Sequence, residues 1–188
     1  METKFTYDYP RPAVTVDVVI LRLHANRLET LLVRRAREPY AGRWCFPGGY
    51  VDIDETLAHA AARELREETG IDNVALAEVG AFDAPGRDPR GRVISIAHAG
   101  VVTSNHPAAK AGDDAADAAW FPAAEPPPLG FDHRLVLAGA VRWLAVTLGV
   151  IAAAPLWPPD ITPQEQAAFR KLIAELFSTQ EQGNRQQT

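Results

Sequence analysis

In the segment GGYVDIDETLAHAAARELREETGI, Gly48 to Ile71, three glutamates crowd into little more than one helical turn: Glu64, Glu67 and Glu68. The pattern predicts a helix from near Thr56 to Thr69, capped by Asp54, with Gly70 in the usual C-terminal stop position. Ala58, Ala61, Ala62 and Leu65 share an apolar face, and the three glutamates share another about 120° away. Such a helix buries one face against a sheet and projects its acids from an edge. Carboxylates three and four residues apart repel, and Arg63 and Arg66 offset only part of that charge. A solvated charged face is one reading, because runs of Arg and Glu are common on exposed helices. Gly48 and Gly49 favour another, since they let a backbone pass close to the carboxylates. A hard divalent cation that binds few carboxylates, keeps waters and accepts phosphate oxygens accounts for the cluster. Magnesium fits that description, with manganese as a substitute.

The flanking chain reads as strands and turns. RPAVTVDVVILRL is β-branched and alternating, with Val14, Val16, Val18 and Ile20 on one face. The polar HANRLE then turns into a hairpin partner, TLLVRRA. REPYAGRWCFPGG is a loop punctuated by Pro39, Gly42, Pro47, Gly48 and Gly49. Two short strands follow around NVALAEVGAFD and GRVISIAHAGVVT, separated by the turn APGRDPRG. NHPAAKAGDDAADAA reads as a loop and WFPAAEPPPLG as a rigid connector, with Trp120 and Phe121 ending a strand. Asp132 is the expected cap for the apolar helix beyond it. Cys45, between Trp44 and Phe46, reads as packing, and His133 as a local hydrogen-bonding group.

At 188 residues the chain suits one domain with a real core. The expected division is a main domain over 1–158, whose segment 1–10 is extended or contacts a dimer partner. A short helix over 159–178 and a disordered tail over 179–188 complete it. A formal charge of -5 gives no general pull toward nucleic acid. One cysteine and a start without an apolar run after a basic segment fit a reducing, cytoplasmic setting. The apolar run Leu135 to Trp157 is interrupted by Arg142, which costs about 2.5–3.5 kcal/mol at a membrane centre. It therefore reads as a buried helix, with no membrane association.

Gly49, five residues, Glu55, seven residues and then RELREETGI match every fixed position of the Nudix box, G-x5-E-x7-R-E-U-x-E-E-x-G-U. The aliphatic positions are Leu65 and Ile71. The chain thus resembles the Nudix hydrolases. That resemblance implies an α/β fold, an α/β/α sandwich around a central mixed sheet. It also implies hydrolysis of a nucleoside diphosphate linked to another moiety, X. Carried onto this chain, Glu64, Glu67 and Glu68 are the divalent-metal ligands, and Gly49 offers a backbone carbonyl. Arg63 holds a glutamate in place and Glu55 supports the loop. Glu68 or Glu67 serves as base for the attacking water; a base from a distant loop is the alternative.

Three further stretches, Tyr9 to Ile20, Gly86 to His98 and Leu129 to Leu137, resemble one branch of that family. The branch contains ADP-ribose pyrophosphatases and Nudix-type regulators of NAD metabolism. Hydrolysis of ADP-ribose to AMP and a phosphorylated product is therefore the expected activity, and a homodimer the expected assembly. Arg87 and Arg90, flanking the RDPR turn, offer paired donors to a diphosphate. Arg34 and Arg35 are candidates for the same role, and Asp113 and Asp114 for an extra carboxylate. A ligand-sensing transcription regulator and an oxidised nucleoside triphosphate pyrophosphatase are the competing functions. The regulators carry a C-terminal winged helix, and the 30 or so residues after Pro159 are too short and too weakly basic for one.

Overall fold

The computed structural model describes residues 6–103, 115–150, 162–164 and 167. Phe5, the Asp113–Asp114 pair, Trp157 and most of the expected C-terminal helix lie outside the described residues. In chain order the elements are β1 (Ala13–His24), β2 (Arg27–Arg35), β3 (Trp44–Cys45), β4 (Gly48–Tyr50), α1 (Leu57–Thr69), β5 (Ala77–Phe82), β6 (Val93–Val102), β7 (Ala115–Pro122) and α2 (His133–Val150). The strands form one mixed sheet along the path β3-β2-β1-β6-β5, with β4 joined to β1 and β7 to β2. β1 and β6 run parallel; the other pairs are antiparallel.

The alternation in β1 divides its side chains between two cores. Val16, Val18 and Ile20 pack with Ala60, Ala61 and Leu65 of α1. Val19 and Leu21 pack with Val136, Leu137, Ala140 and Leu144 of α2. One helix therefore covers each face, the expected α/β/α sandwich. β1 is buried on both faces because it is central, so its second face is as apolar as its first. Val14, at the start of the strand, is 38% exposed and falls outside the core. Ala25 and Asn26 take left-handed φ values of 48° and 58° to close the β1–β2 hairpin in two residues.

α1 ends where expected. Gly70 adopts φ 70°, and its N–H reaches Arg66 O at 2.8 Å. Its start differs: Thr56 is the N-cap, accepting a hydrogen bond from His59 N at 3.3 Å. The buried face is Ala60, Ala61, Leu65 and Thr69, whereas Ala58 and Ala62 are exposed. That rotation of the expected stripe is tolerated because alanine loses little on either side. The run after residue 114, expected as loop, is β7, whose partner β2 is far away in sequence. Asp132 caps α2 with its backbone carbonyl, which accepts from Leu135 N, and its side chain goes elsewhere. Among the described residues no helix is long and apolar enough to cross a membrane.

Gly48 and Gly49 sit in β4 against Asp17 and Val16 of β1, which brings the chain close to α1. An added Cβ at Gly48 would lie 2.1 Å from Val16 O, inside the sheet ladder. At Gly49 it would meet Glu64 Oε1 at 2.2 Å, the end of a flexible side chain. The two substitutions should therefore separate. Gly48→Ala is expected to destabilise the fold by about 3 kcal/mol in urea unfolding. Gly49→Ala should leave most stability in place while displacing Glu64 and reducing turnover. Equal stability losses in the two variants would contradict this geometry.

Candidate active site

Arg63 is the hub of the glutamate helix. Its guanidinium donates to Glu55 Oε1 at 2.5 Å and Glu55 Oε2 at 3.1 Å, to Glu64 Oε1 at 2.7 Å, to Glu67 Oε2 at 3.3 Å and to Tyr50 O at 3.1 Å. Glu55 also accepts from Asp52 N at 2.8 Å, which closes the turn before α1. The hydrogen bonds from Arg63 hold the Glu55 carboxyl below its ordinary range, with the Asp52 amide assisting. Glu64 behaves oppositely: burial raises its carboxyl despite Arg63, and the neighbouring charges of Glu67 and Glu55 add to the rise. Glu68 accepts from Gly48 N at 3.1 Å, which ties the helix to the glycine strand.

These groups border a cleft of about 460 Å³. Glu64, Glu68, Arg63, Gly48 and Gly49 line it, and so do the arginines Arg34, Arg35, Arg37 and Arg90. Carboxylates and guanidiniums thus share one cavity. Glu67 stands outside that lining, with its side chain 51% exposed and bonded to Arg63. Among the described residues no three acidic, histidine or cysteine side chains form a ready cation cage.

The donor set nevertheless suits a hard cation. All its donors are oxygens, Glu64 is largely buried, which raises its carboxyl and is a cost that a cation would relieve, and Gly49 has no Cβ to block the approach to it. A magnesium-type ion takes one or two carboxylates and keeps waters, so a closed protein cage is not required.

The four arginines expected at the ligand fall into different settings. Arg34 Nε donates to Gly42 O at 3.1 Å and Arg35 Nε to Pro39 O at 2.8 Å, and both line the cleft. Arg90 also lines it, with its guanidinium carbon 5.2 Å from the Tyr50 ring centroid and 5.7 Å from that of Phe131. Arg87 is different. Its side chain is 4% exposed, and it donates to Asp132 at 2.6 and 2.9 Å and to Asp17 at 3.3 Å. It stands outside the lining of the cleft and borders a smaller, neighbouring cavity of about 80 Å³.

Asp17 is the centre of a buried network that the sequence reading did not single out. It accepts from Ser95 Oγ at 2.5 Å and Arg87 at 3.3 Å, and faces His133 Nε2 at 3.3 Å. Burial pushes its carboxyl upward, but the hydrogen bonds from His133 and Ser95 and the charge of Arg87 outweigh that and hold it below its ordinary range. Phe46 N donates to His133 Nδ1 at 2.9 Å. Asp17 favours a second proton on the ring, yet the Phe46 amide points at the lone pair that proton needs. The neutral Nε2–H tautomer satisfies both contacts. Cys45 is buried, as read from its neighbours, and it lies beside His133.

The chain and its fold have counterparts among known proteins. A profile of the NUDIX domain matches residues 11–144. The ADP-ribose pyrophosphatase of Methanocaldococcus jannaschii is 39% identical over 135 residues, 72% of this chain and 76% of that protein. The ADPR responsive transcriptional repressor NtrR of Acinetobacter baylyi is 40% identical over 91 residues, 47% of this chain and 36% of the repressor. Among solved structures, the NUDIX domain of Shewanella oneidensis NrtR in complex with ADP ribose superposes with a TM-score of 0.68 at 29% identity. That likeness covers 73% of this chain and 94% of the domain.

Proposed function

The chain belongs to the NUDIX family, and on that premise we propose that it is a magnesium-dependent pyrophosphohydrolase that splits ADP-ribose into AMP and a phosphorylated product. One observation carries the reading: α1 carboxylates and five arginines line a single cleft. Such a cleft offers positive charge to a diphosphate and a carboxylate site to its counterion. The 39% identity to an ADP-ribose pyrophosphatase supports the substrate.

In this reading Glu64, Glu68, Glu67 and the Gly49 carbonyl would hold the cation, with Glu67 bonded to Arg63 in its absence. When bound, the cation screens the diphosphate charge and acidifies a water. Glu68 or Glu67 accepts a proton from the attacking water. Arg63 keeps Glu64 and Glu55 in register, and Arg34, Arg35 and Arg90 bind the anionic substrate. Arg87, engaged by Asp17 and Asp132, supports the cleft from behind. The enzyme acts as a homodimer, which sedimentation at working concentration tests directly.

Arg63→Ala checks the positioning role. It is expected to reduce kcat/KM on the order of a hundredfold, because a misplacement of about 1 Å suffices for that. Its stability loss should stay near 1–2 kcal/mol, roughly that of a few half-exposed charged hydrogen bonds. Unchanged kinetics would remove Arg63 from the site.

The likeness to a repressor and to an NrtR domain bound to ADP ribose supports a second reading, ligand sensing without turnover. Magnesium-dependent hydrolysis measured over ADP-ribose, dinucleotides, sugar nucleotides and oxidised triphosphates, with DNA binding measured alongside, separates the two. Turnover of ADP-ribose without DNA binding supports the enzyme. ADP-ribose binding with no turnover, or preferential cleavage of another class, overturns it.

A further inference from the structure

Asp88 has a side chain only 2% exposed, on the turn between β5 and β6. A buried carboxylate needs strong partners, and among the described residues every hydrogen bond to this one comes from Arg90. Asp88 Oδ1 accepts from Arg90 N at 2.9 Å and from Nε at 3.0 Å; Oδ2 accepts from Nε at 3.2 Å and Nη2 at 2.6 Å. Pro89 stands between the two residues and limits the backbone. The guanidinium is thereby gripped along its Nε–Nη2 edge. Nη1 makes no hydrogen bond among the described residues. Arg90 is 39% exposed, borders both cavities, and lies over the rings of Tyr50 and Phe131 at 5.2 and 5.7 Å. Phe131 is held there at a left-handed φ of 50°, a conformation that bulky side chains seldom adopt.

We infer that Asp88 is a positioning residue for substrate binding: it fixes the plane of Arg90 so that the Nη1 edge meets a phosphate oxygen of the nucleotide. This rests on the hydrolase reading above. Asp88 itself touches no substrate. Its effect passes through one neighbour, so removing that neighbour should make Asp88 irrelevant. A purely structural carboxylate would instead matter whether or not Arg90 is present.

The test is a double-mutant cycle on KM for ADP-ribose with magnesium, with ADP-ribose affinity measured in parallel by calorimetry and melting temperature recorded. Asp88→Asn and Arg90→Ala are each expected to raise KM about tenfold, the loss of one charge-assisted contact, with kcat little changed. The double variant should bind no worse than Arg90→Ala alone. Independent effects that multiply in the double variant overturn the inference, as does a normal KM in Asp88→Asn. Should Asp88→Asn fail to fold, Arg90→Lys carries the test, because it keeps the charge and loses the fork. A tenfold KM rise at unchanged melting temperature supports the inference there, and an unchanged KM overturns it. Wild-type protein that neither binds nor cleaves ADP-ribose removes the hydrolase reading and this role together. Wild-type protein that does both, while the two substitutions act independently, removes only the role of Asp88.

Discussion

Glu68→Gln is expected to lower the turnover number for ADP-ribose by about a hundred- to ten-thousand-fold, the range over which a general base or its loss is felt. Glutamine is nearly isosteric, and its amide oxygen still accepts from Gly48 N, now 3.1 Å from the carboxylate. The tie between α1 and β4 should therefore survive, and metal-free stability should change by no more than about 0.5 kcal/mol. What disappears is charge. Glu67→Gln should act in the same direction and slightly stabilise the metal-free protein, because Glu67 is one of the like charges that raise the Glu64 carboxyl. A second readout separates ion binding from chemistry. Magnesium at about 100 times its Kd should stabilise the wild-type protein by about 2.7 kcal/mol. Both variants should lose most of that gain. Near-normal hydrolysis and an undiminished magnesium shift, in protein of verified purity, would remove these carboxylates from the reaction.

The helix that carries these glutamates was readable from local pattern, because its end, its charge cluster and its glycine approach are all encoded within Gly48 to Ile71. The hairpin was readable for the same reason. Its turn residues lie between two apolar runs. Pairings between distant segments were not readable. The parallel contact of β1 with β6 and the placement of β7 beside β2 follow from closing the sheet. The same limit applies at the site. Whether an arginine faces ligand or core depends on partners far away in sequence, and Arg87 meets Asp132 and Asp17 at separations of 45 and 70 residues. Arg90 sits only three residues on and faces the cleft. One signal for the network was visible. Asp17 interrupts VTVDVVI, a strand otherwise made of β-branched residues, and a charge in mid-strand demands a partner. That demand names no partner, so His133, Ser95 and Arg87 emerged only with the fold.

Arg87→Ala is expected to cost about 3–5 kcal/mol in chemical unfolding, because it leaves a buried carboxylate without its cation. Arg87 joins three separate pieces: its own turn, Asp17 of β1 and Asp132 at the start of α2. A surface arginine would cost a fraction of that. Acid supplies an independent check. Asp17 sits below its ordinary 3.8 in the fold. The folded state binds fewer protons than the unfolded chain between the folded and the ordinary value. This stabilisation is complete above the unfolded value and is lost as pH falls through the folded one. The wild-type protein should therefore lose stability as pH falls below about 4, the ordinary carboxylate range. Asp17→Asn should flatten that part of the stability curve while lowering the whole of it. Arg87→Ala should move the loss to higher pH, since one of the groups holding the Asp17 carboxyl down is gone. A wild-type curve that is level across this window, or an Arg87→Ala variant as stable as the parent, would mean that the buried ion network does not hold the sandwich closed behind the cleft.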